Sequence, residues 1–516
     1  MARSHVRIAL VVGGLSLIGL AAFQQGCGSE GDSEFPDRGD AGSNEGDGGT
    51  PPGFGDAQSP PNADGSKPCV NLQCHQVACE DGGTTTISGK VYDPAGKNPL
   101  YNALVYIPNG KVEPFDDDAG VTCDKCGGAF ASGAPLVADI TGPDGTFTLK
   151  NVPTDVPLPM VIQVGKWRRV VSLPAATRCT NNPITDVSKL RLPRNQSEGH
   201  IPLTAIATGG ADPFECLLLK IGIDPSEFTL PGGNGRMHMY RAHSGVDLAP
   251  DAGGGDAGTP LSSVLWNDPA ALRRYDVVLF PCEATPNNAS KEAALQQTDA
   301  GYGNVEHYVD IGGRLFTTHY SYTWLERAPQ PFPMVANWEH DESDRSDRAG
   351  ANATLFTQID TSFPKGLAFS QWLSFVGASP DAGVLPIVDW RHDVHSENKP
   401  PSQRWITADT RTAYADASTA DANAAGNVVE HFTFNAPIEA GVDDAGAPLQ
   451  CGKAVFSDFH VSAGERTANQ PFPQECKLNP MSPQEKALEF MLFDLSACIQ
   501  IEDQPPPPPP PPPPTK

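Results

Sequence analysis

A change of texture near residue 200 constrains the fold more than any other feature of the chain. Before it, short β-branched segments alternate with turn signals; after it, short apolar strands alternate with helical patterns. The first texture suits a sandwich of strands, and the second suits a parallel sheet flanked by helices. The expected fold class is therefore multi-domain, an all-β sandwich over 69–195 followed by an α/β domain with a mostly parallel sheet over 196–500.

The sandwich is read from five stretches. Thr84 to Tyr92 alternates and is broken by Asp93-Pro94-Ala95-Gly96; Ala103 to Ile107 resumes a strand; Gly142-Pro143-Asp144-Gly145 turns the chain into Thr146-Phe147-Thr148-Leu149; Met160–Val164 and Val170–Leu173 add more. Ile87-Ser88-Gly89-Lys90-Val91, Ala103-Leu104-Val105-Tyr106-Ile107 and Asp144-Gly145-Thr146-Phe147-Thr148-Leu149 follow, in order, the I-x-G-x-V, A-x-V-x-I and D-G-x-F-x-L pattern of a known family. This region resembles the carboxypeptidase regulatory-like (prealbumin-like) β-sandwich, which implies an accessory module. The insertion carrying Cys123-Asp124-Lys125-Cys126 departs from that pattern.

Beyond residue 200, Ile201 to Ala207 reads as a strand ending at Thr208-Gly209-Gly210. Asp212 reads as the N-cap and Pro213 as the first residue of a helix over Phe214–Ile221. Asp276 to Phe280 is a short apolar strand of the buried kind. Val305–Ile311 is helical, Gly312-Gly313 stops it, and Arg314–Thr318 and Ala454–Phe459 are further strands. A last helix starts at Pro483. Ligands of open α/β sheets bind beyond the carboxyl ends of the strands. Three such ends carry polar groups: Pro281-Cys282-Glu283, Thr318-His319-Tyr320-Ser321 and His460-Val461-Ser462.

Tyr275-Asp276-Val277-Val278, the run Tyr308-Val309-Asp310-Ile311-Gly312-Gly313 with its strand ending in His319, and Phe459-His460 together resemble the class I glutamine-amidotransferase-like superfamily. Within it, the pattern resembles the trehalose-utilisation-like proteins. The resemblance implies a flavodoxin-like fold over roughly 200–498. It also implies a nucleophilic Cys on the turn after the Gly-Gly strand and a His followed by Pro-Glu. Here the turn holds Thr318-His319, and Val461-Ser462 follow His460, so the glutaminase nucleophile is missing, as is the group that would orient His460. Turnover of glutamine is not expected. The enzyme question leans toward no.

The candidate catalytic residues are His319, Cys282 and His460, whose convergence in a pocket would favour an enzyme and whose scatter or apolar burial would favour a scaffold. Metal binding has weaker candidates. His392 and His395 lie in Trp390-Arg391-His392-Asp393-Val394-His395, and His340-Asp341-Glu342 is a second such run. Four of Cys69, Cys74, Cys79, Cys123 and Cys126 are a possible all-thiolate zinc set, with disulfides favoured in an exported chain. No cofactor is expected.

The first 27 residues set the address. Arg3 and Arg7 precede the 16-residue apolar run Ile8 to Phe23, and Gln25-Gly26-Cys27 follows it. The run is shorter than the roughly 20 residues of a membrane span and fits a secretory signal. Gly26-Cys27 resembles the lipobox of bacterial lipoproteins, which implies acylation of Cys27; Gln24 stands where that motif prefers Leu. Residues 28–68 are Gly, Ser, Asp, Glu and Pro, a disordered tether with a reach of roughly 35 Å. Over 501–516, Pro505 to Pro514 form a polyproline tail. The Asp-Ala-Gly triplets at 40, 118, 251, 256, 299, 381 and 444 have no fixed period and read as surface-loop insertions.

Formal charge is −26, and removing Arg3 and Arg7 with the signal takes it to −28. That excludes nucleic acid as a partner and makes any membrane link a matter of acyl chains. With Cys27 lipidated, eleven of the twelve cysteines remain for disulfides, and the odd count leaves at least one free or intermolecularly paired thiol. The chain resembles secreted proteins of myxobacterium-type bacteria that join these two domains. It reads as an outer-membrane or cell-surface lipoprotein, otherwise periplasmic or secreted. The expected function is a non-catalytic binding or scaffold module with a carbohydrate or protein ligand. The alternative is a hydrolase-like enzyme acting on a carbohydrate or small metabolite at the carboxyl edge of the sheet.

Overall fold

The five strands expected before residue 200 form, together with two that the sequence did not suggest (Pro135–Ile140 and Asn181–Pro183), two sheets. β1 (Thr86–Lys90), β4 (Thr146–Lys150) and β7 (Asn181–Pro183) make one, in the order β4-β1-β7. β2 (Leu104–Pro108), β3 (Pro135–Ile140), β5 (Leu158–Val164) and β6 (Trp167–Leu173) make the other, in the order β3-β2-β5-β6. Alternation does the sorting. In β4, Phe147 and Leu149 are buried while Thr146, Thr148 and Lys150 face out. The turn before it is closed by Asp144, whose carboxylate accepts from the Thr146 amide at 3.1 Å and its hydroxyl at 2.7 Å.

The computed structural model describes residues 69–116, 119–126, 131–255, 257–286, 289–296, 298–299, 302–338, 354–409, 427–444, 448–461 and 466–509, all within one compact unit. Cys27 and the signal, the 28–68 segment, His340-Asp341-Glu342, Ser462 and the end of the polyproline run lie outside these residues.

The second half is built on a ten-stranded mixed sheet. Its strands are β8 (Thr204–Thr208), β9 (Phe228–Thr229), β10 (Met237–Arg241), β11 (Val277–Phe280), β14 (Arg314–Thr318), β16 (Leu355–Ile359), β17 (Val384–Ile387), β19 (Ser402–Asp409), β20 (Asn427–Ala436) and β21 (Gly452–Ser457). The order is β17-β16-β19-β20-β21-β14-β11-β8-β10-β9. Two small ribbons, β12 (Thr298–Asp299) with β13 (Tyr302–Gly303) and β15 (Ala336–Trp338) with β18 (Val394–Glu397), lie outside it. From β21 to β9 every pairing is parallel. From β21 outward through β20, β19, β16 and β17 every pairing is antiparallel. The expectation of a mostly parallel sheet thus holds for one side only. The antiparallel arm went unread because its strands mix polar and apolar residues. β16, for instance, buries Leu355, Thr357 and Ile359 and exposes Phe356 and Gln358.

The helix Pro483–Ser496 joins the two halves. Ser482 and Glu485 cap it reciprocally, the Glu485 amide donating to Ser482 Oγ at 3.2 Å and the Ser482 amide to Glu485 Oε2 at 2.8 Å. Its Phe490 ring lies 5.3 Å from Trp372 and 5.8 Å from Tyr101, and Phe493 lies 5.8 Å from Trp167 of β6. One apolar cluster therefore runs from the two smaller sheets into the large one. Beneath it, Asp494 is held by Lys365 at 2.6 Å and by Lys453, and Lys453 reaches Glu502 at 2.8 Å.

Disulfides complete the frame: Cys69–Cys74, Cys79–Cys179, Cys123–Cys451, Cys126–Cys498 and Cys216–Cys476. The all-thiolate zinc set is thereby overturned, since each of its candidate sulfurs is bonded to another cysteine. The Cys123/Cys126 insertion is stapled twice, to Cys451 just before β21 and to Cys498 just after the last helix. Cys282 is the free thiol among the described residues. Such a disulfide content is compatible with an exported protein. Among the described residues no helix is long and apolar enough to cross a membrane.

Candidate functional site

Four adjacent parallel strands, β21, β14, β11 and β8, deliver polar groups to one point beyond their carboxyl ends. Cys282 lies two residues past β11, His319 directly follows β14, and His460 lies three residues past β21. The three candidates converge. Cys282 Sγ is 3.3 Å from His319 Nδ1, the His319 and His460 rings meet edge to face at 4.7 Å, and one ligand atom from each residue lies within 4.8 Å of the others. All three are buried, at 1%, 2% and 4% exposure.

Asp212 is the residue that the sequence reading misplaced. The helix Phe214–Ile221 forms where expected, but its N-cap is Pro213, and no side chain caps it. Gly209 turns the chain against Cys282, where an added Cβ would stand 2.4 Å from the Cys282 carbonyl oxygen. That oxygen accepts from the Ala211 amide at 3.2 Å and the Asp212 amide at 3.3 Å. The Asp212 carboxylate then points into the site. One oxygen is 2.9 Å from His460 Nδ1; the other accepts from the Thr318 hydroxyl and, at 3.3 Å, from the Cys282 amide. The expected loss of an orienting acid for His460 is therefore corrected: the acid comes from the loop after β8 rather than from the residues after His460.

A second carboxylate stands behind the other imidazole. Asp393 Oδ2 lies 3.6 Å from His319 Nε2. The loop Trp390–Asp393 is pinned to the chain after β21 by the Arg391 amide on Asp458 O at 2.7 Å and the Asp393 amide on Asp458 Oδ2 at 2.6 Å. Glu430 and Asp458, both fully buried beside Asp393, are pushed well above the ordinary carboxylate range by burial and then by the Asp393 charge. The run Trp390–His395 thus serves the site through Asp393. Its expected metal pair is not gathered: the segment is a loop entering β18, His395 is exposed, and neither histidine belongs to a three-ligand cluster among the described residues.

His319 itself is bent into the left-handed region, φ +38°, at the turn directly after β14. Tyr320 stacks on it at 3.8 Å. The thiol is a poor nucleophile as it stands, because burial, and then the charge of Asp212, push it far above its usual range. What the arrangement supplies is a thiol, two imidazoles each backed by a carboxylate, and a hydroxyl, all shielded from bulk water.

No family model matches the chain, and no curated protein matches it. Among solved structures, the chain is similar to one from a type II cohesin–X-dockerin complex of Acetivibrio cellulolyticus, at 13% identity. That match covers 24% of this chain and 76% of the other, with a TM-score of 0.12, too low to bear on fold or function.

Proposed function

We propose that this chain is an exported surface protein, anchored through an acylated Cys27, whose buried carboxyl-edge centre performs hydrolase-like chemistry on a carbohydrate or small polar metabolite. The observation that carries the reading is the convergence of Cys282, His319 and His460 with Asp212 and Asp393 behind the two imidazoles. Burying five such groups costs more free energy than apolar packing of the same volume, so a role beyond stability is the economical reading. In this reading the first half is a carboxypeptidase regulatory-like sandwich and the second a glutamine-amidotransferase-like, flavodoxin-like α/β domain extended by an antiparallel arm. The glutaminase reaction itself stays outside the proposal, since the turn residue is His319. A polar ligand fits the donor and acceptor set, and nucleic acid does not fit a chain of charge −26.

A non-catalytic binding module is the second reading, favoured by the burial of all three residues and of the thiol in particular. The two are separated by assaying the mature chain on chromogenic glycosides, esters and amides. Turnover that falls at least tenfold in His460→Ala, with the fold intact by circular dichroism, supports the hydrolase. Sugar or peptide binding without turnover on any substrate replaces it with the binding module.

A further inference from the structure

We propose that Cys282, His319 and His460 are the protein ligands of a tetrahedral zinc-class divalent cation, with Asp212 and Asp393 as the carboxylates that orient the two imidazoles. The inference rests on the carboxyl-edge site being functional and names the cofactor it would take.

Donor chemistry comes first. One thiol and two imidazoles form the mixed sulfur and nitrogen set that zinc favours, and three protein ligands leave a fourth position for water or substrate. The separations come next. With Zn–S about 2.3 Å and Zn–N about 2.1 Å, a tetrahedral sulfur and nitrogen stand about 3.6 Å apart. Cys282 Sγ and His319 Nδ1 are 3.3 Å apart, and all three donors lie within 4.8 Å of one another. Side-chain shifts of about an ångström would bring them onto one ion.

The second shell is the more telling feature. Imidazoles that bind metals present one ring nitrogen to the ion and the other to a carboxylate or carbonyl, which fixes the tautomer and raises basicity. Asp212 takes His460 Nδ1 at 2.9 Å, which turns Nε2 toward the ion. Asp393 stands 3.6 Å from His319 Nε2, which leaves Nδ1, the nitrogen beside Cys282, for the ion. Two imidazoles from different strands are thus backed by two carboxylates from different loops. A thiol hydrogen-bonded to one imidazole would need only His319. Asp212 also accepts from the Cys282 amide and the Thr318 hydroxyl, so a single carboxylate ties together the two segments that carry Cys282 and His319. The other cluster with ligand spacing, Cys216, Glu475 and Cys476, is excluded because its two sulfurs form a disulfide.

The test uses the full mature chain, stripped with chelator and titrated with Co²⁺ alone. One equivalent should bind with a sulfur-to-cobalt charge-transfer band and tetrahedral visible absorption, and Zn²⁺ should displace it. Cys282→Ser should lose the charge-transfer band, and Asp212→Asn should weaken binding by about 10–100-fold. X-ray absorption on the zinc-loaded wild type needs no variant and should report one sulfur and two imidazole nitrogens. Absence of uptake, an oxygen-only shell, or a band that persists in Cys282→Ser overturns the site. Cation binding without hydrolysis removes the hydrolase and keeps the cation. Hydrolysis that survives chelation with no cation bound does the reverse.

Discussion

At the scale of single residues, Asp212 does the most with the least. Its two oxygens serve His460, the Thr318 hydroxyl and the Cys282 amide, all buried. Truncation strands His460 Nδ1 and the Thr318 hydroxyl, while the Cys282 amide keeps the Thr318 Oγ1 acceptor at 2.8 Å; a buried polar group left unsatisfied costs about 1–3 kcal/mol. Asp212→Ala is therefore expected to destabilise by about 3 kcal/mol or more, and Asp212→Asn, which keeps acceptor and shape, by clearly less. Thermal melts in chelator read the difference; an alanine variant that melts with the wild type would show that the carboxylate holds nothing. The same residue marks where sequence reading stops. Asp-Pro before an apolar run is the signature of a capped helix, and the helix is there, but a cap and a site acid have the same sequence. Cys282, His319 and His460 were legible because each ends a recognisable strand. Asp393 was visible only as part of a histidine-rich run, and no local pattern says which of its polar side chains the loop turns inward.

At the scale of elements, β20 and β21 carry the seam between the parallel and antiparallel halves. His431 of β20 is fully buried against Ser457 of β21, with Nδ1 2.6 Å from the hydroxyl. Burial pushes its pKa down to about 3. The unfolded chain, with an ordinary imidazole, binds the proton more readily between that value and about 6.5. Stability is therefore full above pH of about 6.5 and is lost as pH falls toward about 3, by up to a few kcal/mol. His431→Gln keeps a hydrogen-bonding side chain without titrating, so its melting temperature should fall less steeply across that window; identical slopes would assign the acid sensitivity elsewhere. This arm was also the part of the fold least legible beforehand. β8, β11 and β14 are short apolar runs buried on both faces and read directly as strands. In β19, Ser-Gln-Arg-Trp-Ile-Thr-Ala-Asp holds its pattern only against its neighbours, with bulges on either side of Ile406. Pairing rather than composition makes it a strand.

At the scale of the whole molecule, covalent ties do what the hydrophobic cluster alone would do less firmly. Cys123–Cys451 and Cys126–Cys498 close loops of 328 and 372 residues, tying the insertion after β2 to the start of β21 and to the end of the last helix. Cross-links that close long loops restrict the unfolded chain most, each contributing about 2–5 kcal/mol, so paired Cys123→Ser and Cys451→Ser substitutions should lower the melting temperature without altering the core of the smaller sheets. The cysteine inventory then yields one further test. Five disulfides and Cys282 account for every described cysteine, and Cys27 is the twelfth. Denatured without reductant, a mature chain acylated on Cys27 should show one reactive thiol, and mass spectrometry should place the acyl mass on the Cys27 peptide. A second reactive thiol mapped to Cys27 would remove the lipid anchor while leaving the disulfide frame standing. Thiols mapped to Cys123, Cys126, Cys451 or Cys498 would remove the staples themselves, and leave the helix Pro483–Ser496 and its apolar cluster to join the smaller sheets to the sheet whose edge carries the site.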